Sequence, residues 1–264
     1  MNILREYEGS GIYTRYAADE CPDTSVFSFH VHDRCEIYYF VSGNAEYLVE
    51  GSVYPLKKGD LLIMRPGEAH CAHLLSSAPY ERYAVNFQLS ILDFIDPERR
   101  LMKIYTDRPL GKGNLFFTEK AERHFSFMCG SFPDEYERRL GITSTLLFLL
   151  RDLQNSSSGT NKGSKPSLSE DIVAFVNDHL FDELSIELLS DHFFLSKSQF
   201  GRIFRQATGA PPWEYITVKR LTAARAMMLE GCTAKKAAEE CGFGDYSVFY
   251  RAYVKRYGES PAKK

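Results

Sequence analysis

A polar segment near the middle of the chain constrains the fold more than any other feature of the sequence. Residues 154–167 read QNSSSGTNKGSKPS, a run rich in serine and glycine without a large apolar side chain. Such a segment has nothing to anchor it in a hydrophobic core and is typical of a flexible linker. The sequence therefore predicts two domains, residues 1–153 before the linker and residues 168–264 after it.

Short apolar runs separated by turn residues fill the first domain up to about residue 115. The predicted strands are Ser25–Val31, Glu36–Val41, Ala45–Val49, Val53–Leu56, Leu61–Met64 and Tyr83–Leu89. Glycine-containing pairs such as Gly43-Asn44 and Gly51-Ser52 lie between consecutive runs, as in β-hairpins. Many short strands at close spacing predict a β-sandwich or a closed barrel.

Helical periodicity replaces the strand pattern after Thr118. Two helices are predicted, Glu119–Cys129 and Asp134–Leu153, and the second carries a wide stripe of leucines. A stripe of this width suits a helix packed on the barrel, and it equally suits a helix that also pairs with its own copy in a dimer. The sequence leaves both interpretations open.

Every predicted element after the linker is a helix. The helices are Ser167–Leu180, Ser185–Phe193, Ser196–Ala207, Pro211–Leu229, Thr233–Glu240 and Asp245–Arg256. Serine, threonine or aspartate begins five of them, as is usual for N-caps. The predicted fold class is therefore α+β in two domains, with a β-barrel and trailing helices followed by an all-α domain.

The same two-helix pattern occurs twice in the second domain, at about residues 185–207 and 233–257. Each longer helix carries two aromatics four residues apart, an arginine two residues after the first aromatic, and a glycine at its end. These residues are Phe200, Phe204, Arg202 and Gly209 in the first copy and Phe249, Tyr253, Arg251 and Gly258 in the second. An apolar stripe fixes such a helix on its partner, while the opposite face reaches base edges and phosphates in a major groove. The repeat predicts two helix-turn-helix units.

Total charge gives no sign of a nucleic-acid partner, because the formal net charge is −3. The distribution of charge does. Two basic stripes, within residues 195–225 and 246–264, each set several lysines and arginines against a single glutamate. Phosphates meet only one face of a domain, so a neutral domain with basic stripes is able to bind DNA.

The six cysteines show neither a CxxC pair nor a regular spacing. This argues against a zinc finger or a disulfide framework and predicts free thiols in a reducing compartment. The N-terminal residues MNILREYEGS contain no apolar leader, and the longest apolar runs are too short to span a bilayer. We therefore expect a cytoplasmic protein with no membrane partner.

The helical repeat also matches a known family in detail. The matching residues are Leu195-Ser196-Lys-Ser-Gln-Phe200-Gly-Arg202-Ile-Phe204-Arg205, Thr208-Gly209, Tyr215-Ile216, Arg220-Leu221-Thr-Ala-Ala224, Gly242-Phe243-Gly-Asp245-Tyr-Ser-Val-Phe249-Tyr-Arg251-Ala-Tyr253 and Gly258-Glu-Ser260-Pro261. In this combination residues 172–261 resemble the AraC/XylS family of bacterial regulators. The resemblance implies that both longer helices enter successive major grooves of double-stranded DNA. The family's base-facing positions correspond to Ser198, Gly201 and Arg202 in the first unit and to Tyr246, Ser247, Tyr250 and Arg251 in the second. Gly201 has no side chain, so Gln199 is expected to read bases in its place. We also expect DNA contacts by Ser196, Arg205 and Lys255.

A histidine cluster in the first domain is similar to the metal-binding motifs of cupin barrels. Its members are His30, His32, Glu36 and His70. In metal-binding cupins such residues converge inside the barrel, and the set would suit zinc, iron, nickel or manganese. The alternative, which we favour, is a polar pocket without metal that binds a small molecule. That pocket would also offer Arg34, Tyr38 and Tyr47.

The resulting hypothesis is a sequence-specific transcription regulator, not an enzyme, that responds to a small polar metabolite such as a sugar. We interpret it as an activator and expect a homodimer, RNA polymerase as a partner, and no cofactor. Two other hypotheses remain: a metal-dependent cupin enzyme with an appended helical DNA-binding domain, and a DNA-binding structural protein without a ligand.

Overall fold

A computed structural model describes residues 2–23, 29–156 and 167–261 of the chain. Its strands are β1 (Ile3–Gly9), β2 (Ile12–Asp19), β3 (Cys35–Ser42), β4 (Ala45–Val49), β5 (Ser52–Pro55), β6 (Asp60–Met64), β7 (His70–Leu74), β8 (Tyr80–Phe87) and β9 (Leu115–Phe117). Its helices are α1 (Lys103–Thr106), α2 (Ala121–Met128), α3 (Glu135–Gln154), α4 (Leu168–Asp178), α5 (Ile186–His192), α6 (Lys197–Thr208), α7 (Pro212–Leu229), α8 (Ala234–Glu240) and α9 (Tyr246–Tyr257).

The described strands pair in two antiparallel sheets rather than in one closed ring. The larger sheet has the order β1-β2-β8-β3-β6-β9, and the smaller has the order β5-β4-β7. Apolar side chains of β3 point alternately to the two faces of the larger sheet, so both faces are covered: one by the smaller sheet and the other by helices. Tyr38 and Phe40 pack between the sheets, whereas Ile37 and Tyr39 pack on the opposite face, beneath α2 and α3. A cupin-like arrangement with helices on one face follows.

Helix α3 buries one side against the larger sheet and exposes apolar residues on another. Its buried positions are Ile142, Thr145, Leu146, Leu149, Leu150 and Leu153. Tyr136, Leu140 and Phe148 stay exposed. Helix α3 therefore packs on the sheet, as the leucine stripe predicted. A second apolar face of the same helix remains exposed.

The two helix-turn-helix units share one turn geometry. In the first, Phe194 has φ 55° and the Leu195 N–H donates to the Ser190 carbonyl. In the second, Gly242 has φ 77° and the Phe243 N–H donates to the Ala238 carbonyl. Each left-handed residue reverses the chain two residues after the shorter helix ends. The sequence repeat is therefore also a structural repeat.

Arg220, on α7, ties the two units together. Its guanidinium donates to the Leu180 and Asp182 carbonyls before α5 and to the Gly242 carbonyl in the turn before α9. Burial lowers the pKa of Arg220 from its usual value. Carbonyl acceptors on both sides compensate for this desolvation and fix α7 as a rigid spacer between the units.

Several sequence-based boundaries need correction. The predicted strand Ser25–Val31 lies partly outside the described residues, and its described end forms only an isolated bridge between His30 and His70. Strands β1, β2, β7 and β9 were not predicted from the sequence. Most of the predicted linker, residues 154–167, also lies outside the described residues. The division into domains therefore stays a prediction at that point.

Candidate DNA-binding surface and effector pocket

Helix α6 presents a polar face because its apolar stripe is turned inward. Phe200 and Phe204 are fully buried. A capping box begins the helix, since the Ser196 hydroxyl accepts from the Gln199 N–H and the Gln199 side chain accepts from the Ser196 N–H. The proposed DNA contacts Ser196, Ser198, Gln199, Arg202 and Arg205 are all exposed.

Helix α9 repeats this arrangement. Phe249 and Tyr253 are buried, and the Asp245 carboxylate accepts the Ser247 N–H at the N-cap. This hydrogen bond lowers the pKa of Asp245, so the cap stays ionised. The proposed contacts Tyr246, Ser247, Tyr250, Arg251 and Lys255 are all exposed. Both helices end at a left-handed glycine.

Fewer side chains of the two basic stripes are available for DNA than the sequence suggested. Lys219 and Arg220 are buried and serve the interior, and Arg225 pairs with Glu259 at 3.7 Å. Arg256 turns toward the first domain, where its Nη2 donates to the Val31 carbonyl at 2.5 Å. Sequence position does not separate these side chains from Arg251, because burial depends on what packs against each helix face.

The histidine cluster of the first domain is assembled as predicted. Ligand-capable atoms of His30, His32, Glu36 and His70 lie within 4.8 Å of one another. His32 Nε2 lies 2.8 Å and His70 Nε2 lies 3.4 Å from the same oxygen, Glu36 Oε2. The spacing suits either a polar network or one metal ion.

Glu36 and the neighbouring His70 shift each other's pKa values. Burial alone would raise the pKa of Glu36, but the contacts with His32 and His70 hold it well below its usual range. Burial would lower the pKa of His70, and the Glu36 carboxylate reverses this and raises it. The imidazoles of His32 and His70 therefore stabilise Glu36 in its ionised form.

Three members of the cluster, His30, His32 and Glu36, border a cavity of about 390 Å³. Arg34, Tyr38 and Tyr47 line it as well. The Tyr38 and Tyr80 hydroxyls lie 2.5 Å apart, and the Tyr47 ring stacks on His70. Arg34 also donates to Glu8 at 2.9 Å. A cavity lined by hydroxyls, a carboxylate, imidazoles and guanidinium groups suits a small polar ligand.

Sequence reasoning missed the lining residues Tyr13, Arg15, Asp33 and Ala72, and three more that lie on β8. Tyr80, Arg82 and Asn86 face the cavity. The Asn86 amide donates to Glu36 Oε2 at 2.7 Å. Their even spacing in an apolar strand was an available signal, because alternate residues of a strand share one face.

A buried polar cluster joins the two domains. Its members, here called the Glu50 cluster, are Glu50, Asn177, Tyr215 and Lys219. Lys219 Nζ donates to Glu50 Oε1 at 2.5 Å and to Asn177 Oδ1 at 2.8 Å. The Tyr215 hydroxyl donates to Glu50 Oε2, and the Asn177 amide donates to the same oxygen at 2.7 Å. Burial, and then the Glu50 charge, raises the pKa of Tyr215 well above its usual value.

Apolar contacts surround this cluster and reach the pocket. Val31 and Ala69 of the first domain share one core with α4, α5, α6 and α7. The Phe29 ring lies 5.4 Å from the Tyr215 ring. Because Val31 lies between His30 and His32, the segment that supplies two pocket histidines also contacts both helix-turn-helix units.

Two family models match the chain. A model described as an AraC-like ligand binding domain matches residues 13–101, and a model described as a helix-turn-helix domain matches residues 189–263. The first range contains the pocket, and the second contains α6 and α9. The chain belongs to the AraC/XylS family.

Individual relatives of this AraC/XylS member are regulators. The probable transcriptional regulator LumQ of Photobacterium leiognathi is 33% identical over 90 residues, 34% of this chain and 36% of LumQ. The transcriptional activator RhaS of Escherichia coli is 30% identical over 117 residues, 44% of this chain and 41% of RhaS. The matched segments thus span less than half of either regulator. A crystal structure of ToxT from Vibrio cholerae is 12% identical with a TM-score of 0.43, covering 96% of this chain and 97% of that one.

Within the described ranges, no helix is both long enough and apolar enough to cross a bilayer.

Proposed function

We propose that this AraC/XylS protein is a sequence-specific DNA-binding transcription regulator, acting in the cytoplasm, whose DNA affinity responds to a small molecule in the first domain. One observation carries the proposal. Helices α6 and α9 each have a side-chain N-cap, a left-handed glycine C-cap, buried aromatics at the same spacing and an exposed arginine at the same position, and Arg220 fixes them on one rigid α7.

DNA contact would use the exposed face of each helix. Arg202 and Arg251 have the length and charge to reach guanine edges, while Arg205 and Lys255 suit phosphates. Gly201 offers no side chain, so the neighbouring Gln199 would supply amide contacts to bases in the first unit.

The effector we propose is a small polar metabolite such as a sugar. Hydroxyls of such a ligand match the hydrogen-bonding groups of Glu36, Asn86 and Tyr47 around the cavity. Binding would move the His30–His32 segment, and that segment contacts Arg256 of α9. A ligand changes DNA affinity only if it binds the DNA-competent arrangement of the two domains more tightly, or less tightly, than the other arrangement. The contact between the His30–His32 segment and Arg256 is where we expect the two arrangements to differ.

A homodimer would double the DNA contacts, and the exposed apolar face of α3 is the surface we propose for it. Tyr136 and Leu140 lie one turn apart there, and Phe148 lies two turns farther along. Such a face is larger than scattered single residues and suits self-association. An activator would also contact RNA polymerase. We propose a regulator and no enzyme, since the relatives named above are regulators.

Fluorescence anisotropy with DNA from upstream of its own gene, titrated at several salt concentrations, tests the proposal. Arg251→Ala should weaken specific binding by about 1–3 kcal/mol, roughly 5–150-fold, because a bidentate base contact is lost. Arg100→Ala is the matched control, since Arg100 is exposed and lies in the first domain. Equal binding to target and random DNA at every salt concentration would refute the proposal.

A further inference from the structure

We infer that Gln199 makes the first helix-turn-helix unit select a guanine, through two amide hydrogens that the cap of its own helix leaves available. The inference deepens the proposed function and rests on it, because it names the base that one side chain of the DNA-binding surface recognises. Preference for any DNA sequence and preference for this one base are measured separately, so the failure of the inference is distinguishable from the failure of the proposed function.

The side-chain oxygen of Gln199 is fully occupied by the N-cap of α6. Gln199 Oε1 accepts the Ser196 N–H at 3.1 Å and the Ser196 hydroxyl at 2.9 Å. The Ser196 hydroxyl in turn accepts the Gln199 N–H at 3.3 Å, which closes a ring of hydrogen bonds. A carbonyl oxygen has two lone pairs, so both lone pairs of Oε1 are used within the protein.

The orientation of the Gln199 amide follows from the same hydrogen bonds. A backbone N–H only donates, so the atom that faces the Ser196 N–H must be the acceptor Oε1 and not Nε2. Nε2 therefore points away from the cap, and within the described part of the chain none of the hydrogen bonds of Gln199 uses it. Because Gln199 is exposed, it presents two donors and no acceptor to a partner.

Two donors without an acceptor fit guanine best among the four bases. In the major groove guanine offers two acceptors, O6 and N7, whereas adenine combines an N7 acceptor with an N6 amino donor. The usual glutamine contact with adenine needs the side-chain oxygen as well as the nitrogen. Here that oxygen would first have to leave both hydrogen bonds of the cap. Thymine offers a single acceptor and cytosine offers a donor, so neither uses both amide hydrogens.

Gly201 gives α6 room to approach the base edges closely. It lies in the interior of the helix, where glycine is unfavourable relative to alanine. An added Cβ would meet nothing within 4 Å, so no contact inside the protein requires glycine at this position. Backbone without a side chain allows a close approach to a ligand. Gln199 and Arg202 lie on either side of Gly201 and are both exposed, so a close approach brings both within reach of bases.

The second unit lacks this arrangement. In α9, Val248 takes the place that Gln199 has in α6, one residue before the first buried aromatic, and its side chain has no hydrogen-bonding group. The cap of α9 consists of the Asp245 carboxylate and the Ser247 N–H. The selection of guanine by a capped glutamine therefore belongs to the first unit.

Selection of binding sites from a random DNA library, followed by sequencing, tests the inference with the full chain. Gln199→Ala should erase the preference at one base pair, which identifies the position that Gln199 reads. We expect the parent protein to select guanine there, and adenine in its place should weaken binding about fivefold or more in fluorescence anisotropy. Gly201→Ala should raise the melting temperature and yet weaken binding to the selected site about fivefold or more.

Gln199→Glu separates base recognition from folding. A carboxylate still accepts both hydrogen bonds of the cap, so the melting temperature should not fall. It cannot donate to guanine, and its second oxygen should shift the preference at that base pair toward cytosine, whose N4 amino group donates. Gln206→Glu is the matched control, because it adds the same charge at an exposed position of the same helix and should weaken binding to all sequences alike.

Ser196→Ala should narrow the gap in affinity between guanine and adenine, because it releases one lone pair of Gln199 Oε1. Ser185→Ala removes the corresponding cap of α5 and should leave the base preference unchanged. The inference is overturned if the parent selects adenine at the position that depends on Gln199, or if Gln199→Ala leaves every base preference intact. Binding without any sequence preference would refute the proposed function together with the inference.

Discussion

Replacing Lys219 with methionine should loosen the contact between the two domains. The Lys219–Glu50 pair is almost fully buried, with side-chain exposures of 6% and 1%. Deleting one partner of a buried pair costs about 3–5 kcal/mol, because the other charge stays buried. Glu50 would keep hydrogen bonds from the Ala69 N–H, Asn177 and Tyr215. We therefore expect about 3 kcal/mol, the lower end of this range.

Alkylation of Cys71 reports this change directly. Its thiol lies under the end of α6, 3.8 Å from the Thr208 carbonyl, and burial raises its pKa to about 12. Reaction therefore requires the interface to open. A loss of 3 kcal/mol raises the open population by roughly 100-fold, since about 1.4 kcal/mol corresponds to a factor of ten. Cys71 should be alkylated faster by that factor, as followed by peptide mass spectrometry.

Two controls make the result specific. Cys35 is buried inside the first domain, so its alkylation rate should not change. Lys236→Met removes an exposed pair with Glu240 and should cost less than about 1 kcal/mol. Glu50→Gln combined with Lys219→Met should recover part of the loss, because no unpaired charge remains. A Cys71 rate within twofold of the parent in Lys219→Met would refute the reasoning.

Two further predictions concern left-handed backbone positions. Gly51→Ala should also speed Cys71 alkylation, because an added Cβ would lie 2.9 Å from a methyl of Val173 across the interface. Gly67→Ala shares the positive φ but meets nothing within 4 Å, so it should cost stability without opening the interface, and equal Cys71 rates in the two variants would contradict this. Phe194→Gly should stabilise the protein by about 1 kcal/mol in thermal unfolding, because Phe194 is exposed and has φ 55°. A lower melting temperature of Phe194→Gly would contradict this prediction and indicate that the Phe194 ring stabilises the fold.

The helix-turn-helix repeat was readable from the sequence because its determinants are local. Caps, aromatics at four-residue spacing and terminal glycines act within one or two helical turns, and the structure places Phe200, Phe204, Phe249 and Tyr253 inside accordingly. The members of the histidine cluster could also be identified from the sequence, although the expectation that they converge inside the barrel came from a family resemblance. Local pattern specifies which face of an element is apolar, and thereby the class of the fold.

Tertiary structure alone decided the partners of the buried polar groups. Glu50 and Lys219 are 169 residues apart, and neither lies in a pattern that distinguishes it from surface charges. Arg256 and Arg251 belong to one helix, yet one contacts the Val31 carbonyl and the other faces solvent. The physical reason is that the free energy of a charge depends on its desolvation and its partners, and both are set only when separate elements pack together.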